Sequence, residues 1–142
     1  MDIVLATLIS RAAMALSVLL HYQSMLIARN ILQGSGLSRR TGVIVGMASV
    51  TVAQILSVLI YAVIYYLMTL RSFFGSLEGE IEGSFLDPLY FSLMSYTTLG
   101  VGDIFPQGAL RIVSGIEALN GFALIGWTAS FAYTLMRQGW SD

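Results

Sequence analysis

The run Thr97–Asp103, Thr-Thr-Leu-Gly-Val-Gly-Asp, is the part of the sequence best suited to do chemistry. An ordinary strand points successive carbonyl oxygens in opposite directions, so neither side of it is lined with oxygen. Glycine at every second position, Gly100 and Gly102, permits backbone angles closed to other residues, so consecutive carbonyls can face one side. Four copies around an axis would stack rings of oxygens able to replace the hydration shell of a cation. A glycine pair alone is equally compatible with a tight loop, so the surrounding elements must decide.

Those elements are long apolar stretches. Three of them, each long enough as a helix to cross a hydrocarbon core of about 30 Å, cover residues 3–28, 43–70 and 112–136. A fourth, residues 85–98, is too short to span and has the length of a re-entrant segment. Asp87 and Pro88 predict the start of its helix, with Asp87 as the N-cap. The glycine-rich run follows it, and irregular backbone at membrane depth is tolerated only where it is buried or lines a watery path.

The composition agrees with a membrane protein. The chain has 142 residues, of which 56% are hydrophobic and 11% are charged, against about a quarter charged in soluble domains. Cysteine and lysine do not occur and His21 is the only histidine, which excludes disulfides, thiolate metal sites and P-loop lysines and makes zinc sites or Ser-His-Asp triads hard to assemble. A net charge of −1 gives no electrostatic reason to expect nucleic acid. We therefore expect an integral multi-pass membrane protein that is not an enzyme.

The charged residues predict an orientation. The loop 29–42 carries Arg29, Arg39 and Arg40 and no acid, whereas the linker 71–87 is strongly acidic. Because positive residues stay on the cytoplasmic side, we expect this loop and the C-terminal tail inside and the acidic linker outside.

The first stretch is open to two interpretations. Its polar residues recur at helical spacing and form one stripe: Thr7, Ser10, Arg11, Ser17, His21 and Ser24. Such a helix either spans the membrane with the stripe against a protein partner, or lies flat in the interface. Spanning is the favoured interpretation.

Taken together, these elements resemble the potassium-channel pore module: outer helix, pore helix, T-x-G-x-G-D filter and inner helix. Residues 87–133 carry the resemblance, which is greatest to small bacterial channels with one extra helix before the module. It implies an all-α membrane protein with three transmembrane helices and one re-entrant pore loop per chain. It also implies a homotetramer in the lipid of a bacterial inner membrane, with other copies of the chain as its protein partners. The implied division is an extra helix and cytoplasmic loop (1–42), a pore module (43–136) and a short cytoplasmic tail (137–142). Within the module it gives outer helix 43–70, external linker 71–86, pore helix 87–97, filter 98–103 and inner helix 110–136.

The resemblance also implies where ions bind. Potassium would be held by the carbonyls of Thr98, Leu99, Gly100 and Val101, with the Thr98 hydroxyl as the innermost ring. Gly102 completes the filter and Asp103 braces it behind the outer mouth. No cofactor is implied beyond the permeant potassium ions.

Val101 departs from the family pattern. Most relatives have Tyr or Phe there, whose ring ties the filter to the pore helix, and valine lacks that reach. Tyr96 and Thr97 on the pore helix are candidate supports, and Leu99 for the usual Val or Ile is a mild change. Two alternatives to a potassium-selective channel stay open: a weakly selective cation channel, or a non-conducting membrane scaffold with a degenerate filter.

The inner helix supplies the remaining candidates. Gly121 and Gly126 are candidate hinges, and Gly121 is equally explained as a close-packing residue. Glu117, an acid in an apolar span, must face protein or water, and we expect it to accept hydrogen bonds behind the filter; the alternative is a titratable modulator of conduction. The candidates to line a cavity below the filter are Phe122, Ile125, Ala129 and Tyr133.

Overall fold

The computed structural model describes residues 2–34, 38–71 and 73–139. Its elements, in chain order, are α1 (Asp2–Gly34), α2 (Arg39–Thr69), β1 (Leu77–Gly79), α3 (Leu86–Tyr96), β2 (Ile104–Pro106) and α4 (Leu110–Gly139). Three helices in the described part of the chain are long and apolar enough to cross a membrane: Asp2–Ile31, Arg40–Thr69 and Leu110–Arg137. The prediction of an all-α membrane fold is confirmed.

Helix α1 packs along both α2 and α4. A seam of small and polar residues, spaced three or four apart, is buried along its length: Ala6, Ser10, Ala13, Ser17, His21, Ser24 and Ala28. The predicted polar stripe is therefore largely inside the molecule, although Arg11 lies off it and is exposed. A helix lying flat in the interface would turn its polar face to water, whereas this one turns it to its neighbours. The packing therefore favours a spanning α1.

The short helix α3 lies between α2 and α4. The rings of Tyr65 on α2 and Phe91 on α3 meet edge to face, with centroids 5.0 Å apart. Leu110 and Val113 of α4 are fully buried in the same core cluster. Close packing on both sides fixes the position of α3, and with it the position of the run that follows.

The prediction that Asp87 is the N-cap of this helix is wrong. The helix begins at Leu86 with Phe85 at the N-cap position, and no side chain caps it there. The Asp87 carboxylate accepts hydrogen bonds from the backbone N–H groups of Gly83 and Ser84, at 2.8 and 3.1 Å. It lies in the first turn, where the helix dipole favours an acid, and it folds the acidic linker back onto that turn.

A small two-stranded sheet, which the sequence did not predict, joins the segments before and after α3. Strands β1 and β2 pair antiparallel, with Leu77 opposite Pro106 and Gly79 opposite Ile104. The N–H of Glu80 also donates to the Asp103 carbonyl at 3.0 Å. The sheet thus fastens the acidic linker to the end of the glycine-rich run. Strands of three residues that contain glycine or proline give almost no pattern in a sequence.

Candidate functional site

Along the glycine-rich run the backbone dihedral φ is positive at every second residue. Thr98, Gly100 and Gly102 have φ of 58°, 57° and 90°. Among the described residues Thr98 is the only non-glycine with positive φ, a conformation that costs free energy and is typical of functional sites. Positive φ at every second residue is the pattern expected if successive carbonyls turn to one side. The sequence indicated this at the two glycines but not at Thr98.

The N–H groups at the start of the run are bound by α3. Those of Thr98 and Leu99 donate to the carbonyls of Ser95 and Met94, each at 3.0 Å, and that of Gly100 donates to Met94 at 3.3 Å. Within the described part of the chain, no backbone N–H donates to a carbonyl of residues 98–101. The donors of this run are therefore partly used, while its acceptors are free to bind something else.

The side of the run away from α3 is uncovered in a single chain. The side chains of Leu99 and Val101 are 66% and 58% exposed. A methyl group added at Gly100 or Gly102 would meet no atom within 4 Å. Apolar side chains left uncovered at such a strained segment indicate a surface that other molecules cover.

Tyr90 ties the end of the run to the pore helix. Its hydroxyl donates to Oδ2 of Asp103 at 2.8 Å, and the N–H of Ile104 donates to Oδ1 at 3.0 Å. The bond from Tyr90 lowers the pKa of the Asp103 carboxyl and raises the pKa of the Tyr90 phenol. Tyr96, the support expected from the sequence, is buried, and its hydroxyl makes no hydrogen bond to the run among the described residues. Tyr90 was missed, although it lies on the same helical face as Met94, which binds the run.

This contact predicts a pH effect. A carboxyl whose pKa is lowered by folding stabilises the protein above its ordinary pKa and loses that contribution as the pH falls through the lowered value. We expect Tyr90→Phe to raise the pKa of Asp103 toward its ordinary value, so that the variant lacks this stabilisation. The variant should therefore be less stable than the wild type near pH 7, and the difference between them should shrink as the pH falls through the lowered pKa of the wild type. Thermal stability measured between pH 3 and 7 checks this, with Tyr22→Phe as the control on an exposed tyrosine. Identical acid profiles for Tyr90→Phe and the wild type would rule the contact out as a support.

Glu117 joins three helices behind the run. It is fully buried on α4 and accepts from the Tyr65 hydroxyl of α2 at 2.6 Å and from the Ser92 hydroxyl of α3 at 2.5 Å. A buried carboxylate needs such donors. The sequence indicated a buried acid near the pore helix, but neither Tyr65 nor Ser92 was recognised as its partner, because both also fit ordinary packing positions.

One turn further along α4, a second group of buried polar residues lies between the same helices. Tyr61 and Asn120 are both fully buried, and Asn120 lies beside the Tyr61 hydroxyl. A methyl group added at Gly121 would overlap the backbone carbonyl of Tyr96, so Gly121 lets α4 pass directly against the end of α3. At Gly126 an added methyl group would meet nothing within 4 Å. Bending at either glycine stays a prediction.

The two faces of α4 differ. Its buried face, turned to the other helices of the chain, includes Val113, Glu117, Leu124 and Leu135. The candidate cavity-lining residues Phe122, Ile125, Ala129 and Tyr133 are all exposed on another face. Phe122 and Tyr133 are 70% and 64% exposed. That apolar face, like the side chains of Leu99 and Val101, is uncovered in one chain.

Comparison with known protein families gives one finding. Residues 53–138, more than half of the chain, match the family model described as "Ion channel". Neither the curated proteins nor the solved structures compared with the chain gave a match. The matched part begins inside α2 and includes α3, the glycine-rich run and nearly all of α4, so every contact described above that holds the run lies within it. The chain therefore belongs to the ion channel family, with the two-helix, potassium-channel-like pore domain.

Proposed function

We propose that four copies of the chain form a potassium-selective channel whose filter is the run from Thr98 to Asp103. The observation that carries the proposal is the backbone of that run: φ is positive at every second residue, and the carbonyls of residues 98–101 accept no backbone hydrogen bond within the described chain. Rings of such carbonyls replace the water around a permeant ion. The residues bind ions and promote no bond-making step.

The tetramer is supported by what a single chain leaves uncovered. One chain supplies one glycine-rich run, which cannot surround an ion by itself. The side chains of Leu99 and Val101 and the face of α4 that carries Phe122 are exposed in one chain, and neighbouring copies around an axis would cover them. Closed cyclic assembly buries one patch of every copy in the same way.

A weakly selective cation channel is the second candidate, and Val101 is the observation that favours it. Its side chain is 58% exposed in the chain and has no polar atom with which to hold the filter to α3. In the potassium-selective proposal Tyr90, through Asp103, is the anchor that keeps the filter narrow in place of an aromatic residue at position 101.

Ion flux separates these candidates. We expect purified protein in liposomes to pass potassium and rubidium, with sodium clearly slower. We also expect the tetramer to resist heat better in potassium than in sodium, because an ion bound only by the assembled state stabilises it. Equal potassium and sodium flux would favour the weakly selective channel, and no monovalent flux at all would leave a membrane scaffold.

We also propose that the Arg29–Arg40 loop is cytoplasmic and the acidic linker external. The chain has no cysteine, so single cysteines at Ser35 and Ser76 report the two sides. Ser35 lies outside the described residues; Ser76 is exposed next to β1. In intact cells an impermeant maleimide should label Ser76→Cys and leave Ser35→Cys unlabelled until the membrane is opened. The reverse labelling would show that the chain has the opposite orientation in the membrane.

A further inference from the structure

Helix α1 lies outside residues 53–138, so the family match gives it no role. The structure joins it to the inner helix by hydrogen bonds. The hydroxyl oxygen of Thr128 on α4 lies 3.3 Å from Nε2 of His21 on α1 and accepts from Nε2 of Gln54 on α2 at 2.9 Å. We call His21, Gln54 and Thr128 the Thr128 junction.

The hydrogen atoms of the junction can be assigned from its chemistry. Thr128 donates its single hydroxyl proton to the carbonyl of Leu124, 2.9 Å away on its own helix. The Gln54 amide nitrogen can only donate. The remaining lone pair of Thr128 therefore accepts from His21, whose Nε2 carries the proton. The imidazole is fully buried and lies against the Trp127 ring, with centroids 5.7 Å apart.

The junction lies far from the filter along α4. Thr128 follows Leu110, the first residue of α4, by 18 positions, about 27 Å at the rise of an α-helix. Nearer the same end of the bundle the three long helices also pack closely. A methyl group added at Gly46 of α2 would meet Leu135 of α4 at 3.3 Å and Ala28 of α1 at 3.4 Å. Thr128 also points toward α1 and α2, away from the exposed face of α4.

Separation of α4 from α1 would break the junction. The donors on His21 and Gln54 would then face an apolar environment without an acceptor, which is unfavourable in a membrane. The junction therefore resists any movement that carries this half of α4 away from its own subunit and toward a central axis.

We propose that α1 is part of the gating machinery: through the Thr128 junction it holds the cytoplasmic half of α4 back from the pore axis and so favours the conducting state. The inference rests on the proposed function, since it takes the exposed face of α4 to line the pore. It assigns α1 a role beyond membrane anchoring, as a brace for the inner helix.

Single-channel recording of Thr128→Val tests the proposal. The substitution removes the acceptor of both His21 and Gln54, and we expect the ratio of open to closed time to fall by more than about fivefold, the change that corresponds to a single lost hydrogen bond. His21→Phe keeps a ring beside Trp127 but removes the α1 donor, and it should lower the ratio about fivefold. The double variant should gate like Thr128→Val, because Thr128→Val already removes the bond that His21→Phe removes.

Thr134→Val is the matched control. Thr134 lies on the same helix, is exposed, and donates only to the carbonyl of Ser130 in its own helix, at 3.1 Å. It should gate like the wild type, and Thr128→Ser, which keeps the hydroxyl, should restore gating. Unchanged or longer opening in Thr128→Val and His21→Phe would overturn the brace. A wild-type protein that never conducts would instead refute the pore itself, so the two failures are distinguishable.

Discussion

Replacing Gly100 with alanine should abolish conduction while leaving an assembled protein. Gly100 has φ of 57°, a conformation that costs an L-residue about 1–2 kcal/mol. An added methyl group would meet no atom within 4 Å, so the substitution acts through the backbone and not through a clash in its own subunit. Alanine favours negative φ, which would turn a carbonyl out of the proposed ion pathway. Potassium flux into liposomes measures the loss.

Gly83→Ala is the control for this prediction. Gly83 has φ of 81°, and an added methyl group there would also meet nothing within 4 Å, but it lies in the acidic linker before α3, outside the glycine-rich run. Both variants should lose a similar amount of stability per chain, and only Gly100→Ala should stop conducting. Flux through Gly100→Ala at the wild-type rate would show that the alternating backbone is not the conduction path.

Glu117→Leu should give the largest loss of stability. The substitution leaves the Tyr65 hydroxyl, which donates to Glu117 at 2.6 Å, without an acceptor in a buried site. It also removes the 2.5 Å contact between Glu117 and Ser92, whose hydroxyl keeps the carbonyl of Val58, at 2.9 Å, as an acceptor. An unsatisfied buried donor costs about 1–3 kcal/mol. Because the three residues join α2, α3 and α4, we expect the assembly to dissociate at a lower temperature and its currents to be impaired. Glu117→Gln keeps the shape and an acceptor oxygen, and it should conduct.

Two further variants make the test specific. Glu80→Leu removes an exposed acid of the linker 71–86 and should change stability little. Adding Tyr65→Phe to Glu117→Leu removes the stranded donor, and it should recover part of the lost stability, since replacing both partners of a buried hydrogen bond costs less than removing one. Wild-type thermal stability and currents for Glu117→Leu, or no recovery in the double variant, would contradict this role.

How well the sequence predicted each element depended on the length of the residue pattern that encodes that element. An apolar stretch of more than twenty residues has few structural alternatives to a membrane-spanning helix. The sequence therefore predicted the middle portions of the three long helices. The helix ends moved, because polar residues such as Arg29 extend α1 beyond its apolar part. The glycine spacing at Gly100 and Gly102 predicted the unusual backbone for an equally local reason: positive φ is a property of the residue itself.

Partners across the fold were beyond the reach of the sequence. Whether a tyrosine hydroxyl on a helix donates a hydrogen bond depends on which residues of other elements lie beside it. For this reason the sequence pointed to Tyr96 as a support. In the tertiary structure Tyr90 donates a hydrogen bond to Asp103, and Tyr65 donates one to Glu117. Asp87 likewise looked like a helix cap, yet it binds the linker before the helix.

The polar stripe of α1 shows the same division. Helical periodicity by itself placed Ser10, Ser17, His21 and Ser24 on one face of the helix. Periodicity holds no information about what that face meets, so the membrane surface stayed open beside the favoured interpretation, a spanning helix with its stripe against a protein partner. The tertiary structure decided for the chain's own α2 and α4, because only the packing of three helices brings His21 within reach of Thr128, 107 residues away in the sequence.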